Sequence, residues 1–375
     1  MIIIVKVGIA VLNVLYTVMK LLPTKNRVVM ISRQSNVPSM EFCMIKNRII
    51  EKDSSMEVKL LCRTLDGGVE SSIKNKILYC FHMLVQMYYI ATSKVVILDS
   101  YCIVASILKH KESLKIIQMW HSMGTMKKFG YSILDKEEGS KKELALAMKM
   151  HQNYDYIFAS ADAYKDHLAE GFHCKKEKIL TMPLPRLDLL QDKNYKKEKQ
   201  ESIYAKYPTL KEKPVILYCP TFRKDETGFI EAFNQLQTAI DFEKYNFVVK
   251  LHPLSKVKLQ ESVIEAKEFS SFDMLFVADY VISDYSCIVY EAAVLEIPLY
   301  FYNFDMELYR NNRGLAIDYE KELPGVISPC AEELIHAMEH KAYNMEELKQ
   351  FSKKYIQPTE NATQDIVEFI YSLIE

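Results

Sequence analysis

Imidazole, guanidinium and hydroxyl side chains follow the ends of short β-branched runs along this chain, a pattern suited to handling phosphate. The densest group is Gln118–Gly130, QMWHSMGTMKKFG. It follows Lys115-Ile116-Ile117, which reads as a buried strand ending near Met119. It holds the chain's single Trp, then His121, the small residues Ser122, Gly124 and Thr125, and the pair Lys127 and Lys128. A strand that ends in an imidazole, a tight turn and two ammonium groups suits chemistry on an anion, because imidazole changes charge near neutral pH. A His after a strand is more often an ordinary surface or core residue, so the other strand ends must decide.

In open parallel sheets, ligands bind beyond the carboxyl ends of strands, where the strand order reverses. The residues at such positions are Trp120-His121-Ser122, Ser160-Ala161-Asp162, Thr221-Phe222-Arg223, His252-Pro253 and Ser283-Asp284-Tyr285-Ser286. Ser283–Ser286 opens a predicted helix, Ile288–Leu295. A Ser or Asp there is an ordinary cap, and the free N–H groups of a helix start also bind phosphate. Glu291, one turn in, is placed to reach ribose hydroxyls or to be a solvated helix carboxylate. Arg186, Arg223 and Arg313 supply guanidinium groups able to grip phosphate oxygens in pairs.

The chain has no DxD and no carboxylate pair suited to Mg²⁺. No metal and no cofactor are expected, and cations, His and helix dipoles would neutralise a diphosphate. GxGxxG, Walker A and GxSxG are absent, which argues against a dinucleotide oxidoreductase, a P-loop kinase and an α/β-hydrolase.

The elements that must hold these residues alternate. Strands are predicted at Arg27–Arg33, Met56–Cys62, Lys94–Leu98, Lys115–Met119 and Asp155–Ala159, with a helix at Asn75–Thr92. After a charge run from Asp192 to Ser202 the alternation restarts, with strands at Pro214–Cys219, Asn246–Leu251, Met274–Val277, Tyr280–Ser283 and Pro298–Tyr302. Helices are predicted at Gly228–Phe242, Ile288–Leu295, Ala331–His340, Met345–Lys353 and Asn361–Ile374. Strands alternating with helices imply parallel sheets covered on both faces. The expected fold class is α/β, with two αβα domains. The expected boundaries are an apolar helix at 1–24, a first domain at 25–190, a charged linker at 191–213, a second domain at 214–345 and closing helices at 346–375.

At 375 residues and 49% hydrophobic content, two domains are expected. Net charge is −1, yet residues 1–130 hold 18 Lys and Arg against 8 Asp and Glu. A basic first third suits an anionic partner such as lipid headgroups or a phosphate polymer; no nucleic acid is expected. The 8 cysteines are scattered without CxxC or zinc spacing, as in a reducing, cytoplasmic setting. The N-terminal stretch is apolar, but Lys6 and Lys20 leave about 13 uncharged residues between them, short of the roughly 20 of a spanning helix. An in-plane membrane helix is the preferred reading, and a helix packed on the first domain is the competitor.

With these residues laid out, the chain resembles the CDP-glycerol glycerophosphotransferase family, the teichoic acid glycerol- and ribitol-phosphate transferases. The stretches that carry the resemblance are LPTKNRVVMISRQSN, QMWHSMGTMKKFG, MPLPRLD, YCPTFR, KLHP, SDYS with its helix, and PLYFYNFDMELYRNNRGLAIDYEKELPG. The resemblance implies a GT-B-type fold, with two Rossmann-like αβα domains whose parallel sheets face a cleft. It implies a CDP-glycerol or CDP-ribitol donor and a polyprenyl-diphosphate-linked glycan acceptor, with peripheral attachment to the cytoplasmic membrane face. It makes His121 the base, His252 a second catalytic residue holding the diphosphate, and Arg223 and Arg186 its cations. Thr221, Pro253 and Arg313 join the binding set. Ser283, Asp284, Ser286 and Glu291 would serve phosphate or ribose, and Ser122, Gly124 and Thr125 would let backbone N–H groups approach the donor. WHSMGTMKKFG has one residue more before its Lys than the WHGTPLK of the long polymerases, and Glu291 stands where many members have Asp. The polyol is therefore open. A GT-B glycosyltransferase with a nucleotide-sugar donor is the alternative, and a non-catalytic partner in a wall-polymer complex is the third reading.

Overall fold

The computed structural model describes residues 2–64, 72–252 and 254–374. Among them, strands β1 (Arg27–Ser32), β2 (Glu57–Cys62), β3 (Val95–Leu98), β4 (Lys115–Gln118), β5 (Tyr156–Ala159) and β6 (Ile179–Thr181) form a parallel sheet in the order β2-β1-β3-β4-β5-β6. A second parallel sheet has the order β12-β11-β10-β7-β8-β9. It is built from β7 (Val215–Cys219), β8 (Asn246–Val249), β9 (Val263–Ile264), β10 (Tyr280–Ser283), β11 (Leu299–Tyr302) and β12 (Val326–Ser328). Every residue of β1, β3, β7 and β11 is buried, as strands covered on both faces require. The first sheet reverses its winding between β1 and β3, the second between β7 and β10, so each has a switch point at its carboxyl edge.

The chain divides into two compact units. Unit one is Met1–Ser122, Phe129–Asp188 and Thr359–Glu375; unit two is Met123–Lys128 and Leu189–Pro358. The chain therefore leaves unit one just after His121, spends six residues in unit two and returns at Phe129. Unit one opens with helix α1 (Ile2–Met19), followed by α2 (Met40–Lys52) and α3 (Ile73–Ala91). Ser39 caps α2 by accepting the Phe42 N–H at 3.3 Å. The last helix, Ala362–Ser372, packs on α2. Its first turn donates N–H groups from Ala362 and Thr363 to the Asp188 carboxylate at 2.6 and 2.9 Å.

Two differences from expectation have physical causes. Met274–Val277 is helical instead of a strand, because Ser270 and Asp273 form a reciprocal cap that starts a helix at Ser271. The apolar run is buried, and burial alone does not separate a short strand from a helical turn. The short edge strands β6, β9 and β12 were not expected, since two or three residues show no period. The charged stretch 191–213 contains a helix, Lys193–Lys206, capped by Asp192.

Unit one also holds a buried titratable group. His151 sits among Phe172, Tyr101 and Phe129, with ring centroids at 4.9, 5.3 and 6.4 Å, and its Nδ1 lies 3.1 Å from the Tyr154 hydroxyl. Burial pushes its pKa down to about 4. The unfolded chain therefore takes up the proton first. Stability is full above the free value near 6.5 and falls as pH drops towards about 4, by at most roughly 3 kcal/mol. Urea unfolding midpoints should drop between pH 7 and 4.5 in the wild type and drop less in His151→Gln; parallel curves would exclude His151 as the group.

Candidate active site

In unit one, Trp120 follows β4 in the left-handed region, at φ 66°, a costly conformation for a bulky residue. Its N–H donates to the Gln118 side chain at 2.9 Å, and its ring packs on Phe129 at 4.7 Å and Phe172 at 5.2 Å. Gly171 makes room for that stack, since a Cβ there would lie 2.4 Å from the Phe129 ring. The turn so held projects His121 at the switch point. His121 Nδ1 lies 3.0 Å from the Asp99 backbone carbonyl, just past β3, and 3.3 Å from the Gln34 amide, just past β1. The Asp99 carbonyl only accepts, and this shorter bond assigns the proton to Nδ1, with the donor-only Gln34 amide nitrogen a neighbour and not its partner, so Nε2 carries the lone pair.

Arg186 donates to the His121 carbonyl at 3.3 Å and from Nε to the buried Glu41 carboxylate at 2.6 Å. Solvent reaches the imidazole, yet protein surrounds it closely enough for desolvation to lower its pKa. The Asp99 bond opposes that shift, Arg186 adds to it and Glu41 opposes it.

The six residues that follow Ser122 lie in unit two, fastened by backbone bonds. Tyr290 Oη donates to the Thr125 carbonyl at 3.4 Å, Ala316 N–H to Met126 at 2.9 Å, and Lys128 N–H to Gly314 at 3.1 Å. Arg313 Nε donates to the Lys128 carbonyl at 3.2 Å. Lys127 is held half-buried beside Leu315, in the electrostatic field of Cys287, Asp284, Arg313 and Arg223. Burial lowers its pKa, the two arginines lower it further, and Cys287 and Asp284 oppose them.

At the second switch point, between β7 and β10, the fully buried Asp284 accepts the Thr221 N–H at 2.9 Å and pairs with Arg223. Arg223 also donates Nε and Nη2 to Asp305, both at 3.0 Å. Burial disfavours the guanidinium charge, but the two carboxylates outweigh it and raise the pKa, so Arg223 stays charged. Tyr285 and Tyr319 donate hydroxyls to Asp305 and to the Asp284 carbonyl at 3.0 and 2.8 Å.

His252 stands exposed after β8, its ring 4.4 Å from that of Phe222, and its Nδ1 accepts the Leu254 N–H at 3.2 Å. Both rings line a cavity of about 710 Å³ with Lys250, Glu265 and Ser270. Pro253 lies outside the described residues.

The structure thus brings Arg186 to His121 in unit one, and brings Thr221, Arg223, Asp284 and the Thr125–Lys128 segment together in unit two. Ser283 turns inward and donates to the Cys219 carbonyl at 2.9 Å, and Asp284 spends its carboxylate on Arg223 and Thr221. Ser286 accepts the Ile288 N–H at 3.4 Å. Glu291 is 2% exposed. Asp99, Glu41, Gln34 and Asp305 were missed as candidate site residues, and Lys127 was noted only as half of a cationic pair. Asp99 and Asp305 follow β3 and β11, where the strand-end reading was able to find them. Among the described residues no cluster of three or more His, Cys, Asp and Glu side chains is arranged to hold a metal.

Two doubly wound units with polar residues at their switch points define a GT-B-like two-domain enzyme, and solved structures agree on the fold. The wall teichoic acid polymerase TagF aligns with a TM-score of 0.74 at 19% identity, covering 98% of this chain and 95% of that one. UDP-GlcNAc 2-epimerase from Neisseria meningitidis aligns with a TM-score of 0.58 at 15% identity, covering 92% and 100%. Residues 14–372 match the family described as CDP-glycerol:poly(glycerophosphate) glycerophosphotransferase. The teichoic acid ribitol-phosphate primase of Bacillus spizizenii is 30% identical, over 94% of this chain and 93% of its own. The teichoic acid glycerol-phosphate primase of Bacillus subtilis is 30% identical over 78% and 77%. The chain belongs to this family of teichoic acid glycerol- and ribitol-phosphate transferases.

Removing one partner from a buried charge cluster leaves the others uncompensated, at a cost of about 3–5 kcal/mol. Arg223→Leu should lose stability on that scale in urea unfolding, and Arg223→Lys less. A loss below about 1 kcal/mol in Arg223→Leu would show that the cluster does not hold unit two.

Proposed function

We propose that this enzyme transfers glycerol phosphate or ribitol phosphate from a CDP-polyol to a hydroxyl of a polyprenyl-diphosphate-linked acceptor, releasing CMP. The observation that carries the reading is the Asp99 carbonyl bond to His121 Nδ1, which leaves Nε2 as an acceptor. Nε2 takes the proton of the acceptor hydroxyl while that oxygen attacks the β-phosphorus. The bond from the β-phosphorus to the bridging oxygen breaks, and the electron pair leaves with CMP. Phosphoryl transfer needs positioning and charge stabilisation, which Arg223, Lys127 and Arg313 are suited to give. His252 is in the opposite tautomer: Nδ1 accepts from Leu254, so Nε2–H is free to donate to a phosphate oxygen. Membership of the family and the TagF structures soaked with CDPG support the choice of donor class.

We further infer that it works at the cytoplasmic membrane surface. Ile3, Ile4, Val7, Val11, Val14 and Val18 of α1 are exposed, and so are Ile73, Ile77, Phe81 and Val85 of α3, which packs beside it. Neither helix contains an Asp or Glu, while Lys6, Lys74 and Lys76 rim the apolar face. That combination suits an anionic interface. By length and composition α1 is apolar enough to cross a membrane. Its polar side is tied down in unit one instead: Tyr16 bonds His110 at 2.8 Å, and Asn13 accepts the Lys109 N–H at 3.0 Å. This supports a helix lying in the interface.

CMP release from CDP-glycerol or CDP-ribitol should fall about 10²–10⁴-fold in His121→Ala. Undiminished release rejects the base, and turnover of UDP-sugars in place of CDP-polyols rejects the reaction. The base must be neutral, so kcat/KM should fall as pH drops through an inflection below 6.5. Arg186→Gln should move that inflection to higher pH, because it removes a lowering charge. Val7→Lys with Phe81→Lys should reduce sedimentation with anionic phospholipid vesicles; unchanged sedimentation rejects the membrane face.

A further inference from the structure

The chain has 8 arginines, at positions 27, 33, 48, 63, 186, 223, 310 and 313. Arg27, Arg48, Arg186, Arg223 and Arg310 are ion-paired, and Arg33 and Arg313 donate to backbone carbonyls. Among the described residues, only the guanidinium of Arg63 makes neither an ion pair nor a hydrogen bond, although the residue is half-buried. A desolvated guanidinium without an anion is costly. The described residues that line its cavity of about 350 Å³, beyond the carboxyl ends of β1 and β2, are Asn36, Cys62, Arg63, Thr64 and Asn75, none of them a carboxylate. The Cys62 thiol is neutral, its pKa pushed up to about 11 by burial. Among the described residues the lining therefore offers the Asn36 and Asn75 carboxamide N–H groups and the Arg63 charge, while the Thr64 hydroxyl donates to Asn36 Oδ1 at 3.3 Å.

Two connections place this cavity in the molecule. Asn75 belongs to the first turn of α3, whose Ile73 and Ile77 are exposed apolar residues. The cavity therefore borders the face inferred to meet lipid. Asn36 is two residues beyond Gln34, whose amide lies 3.3 Å from His121, and two extended residues span at most about 7 Å. One short loop joins the cavity to the base.

We propose that the Arg63 cavity binds the diphosphate of the lipid-linked acceptor, with its hydrocarbon directed along α3 towards the bilayer. The phosphate oxygens take the forked Arg63 donors and the Asn36 and Asn75 side chains complete the cradle. Naming the lipid rests on the proposed transferase reading; the existence of a phosphate site does not.

The test compares wild type, Arg63→Gln and Arg63→Lys on three vesicles: phosphatidylcholine alone, with phosphatidylglycerol, and with polyprenyl diphosphate at matched charge. Wild type should bind the polyprenyl diphosphate vesicles more tightly than the phosphatidylglycerol ones. Arg63→Gln should lose that excess, about ten- to hundredfold, and Arg63→Lys should lose part of it. The KM for a lipid-linked acceptor should rise to match in Arg63→Gln, while the thermal shift produced by CDP-polyol stays that of the wild type. Because the guanidinium makes no internal bond, Arg63→Gln should keep its unfolding midpoint. An excess retained in Arg63→Gln overturns the site, as does a large loss of stability. Equal losses on phosphatidylglycerol and polyprenyl diphosphate overturn the acceptor assignment. Absence of CMP release by the wild type would instead reject the transferase reading, and the vesicle comparison would still decide whether the cavity holds phosphate.

Discussion

The hydrogen bond from His121 Nδ1 to the Asp99 carbonyl organises unit one, because it sets the only tautomer in which the outer nitrogen can take a proton. Much of the surrounding structure holds its two ends. Asp99 is placed by the parallel pairing of β3 with β1 and β4. His121 is placed by a Trp in a backbone region that bulky residues avoid, kept there by Phe129 and Phe172. Local strain of about 1–3 kcal/mol is accepted at Trp120 and offset by aromatic packing, a common arrangement where a side chain must be aimed. Arg186 then acts twice, fixing the His121 carbonyl and keeping the imidazole from holding a proton too tightly.

Unit two solves a different problem, the management of charge in a desolvated place. Arg223 with Asp284 and Asp305 carries a net charge of −1, which by itself would repel a diphosphate. Lys127, brought in by the segment that follows His121, and Arg313, which bonds that segment at the Lys128 carbonyl, reverse that sign. The carboxylates thus serve to orient Arg223 and the β7 turn, and the cations added beside them make the region receptive to phosphate.

Most of the strands were legible because they are buried β-branched or aromatic runs with polar ends, and some of the residues just past those ends lie at the switch points. His121 and Arg223 were found that way. Asp99 and Asp305 follow strands read correctly and were passed over because a lone Asp after a strand resembles any turn. Glu41 lies one helix away from its partner Arg186, a pairing over 145 positions that no local pattern reveals. Helical spacing gives the distance of Glu291 along its helix and not which face it turns to the core. Met274–Val277 shows the same limit: an apolar run records burial, and the cap at Ser270 decides its geometry.

The division of the chain has a consequence for its synthesis. Unit two needs residues 123–128, and unit one needs residues 359–375. The last helix closes on α2 and on Asp188, so unit one, whose first residues emerge earliest, cannot be completed until Ala362–Ser372 has emerged. Unit two, although later in order, has all its parts available sooner. While residues 53–361 are being made, the surface of α2 is uncovered, and unit one reaches its finished form only when the last helix has docked.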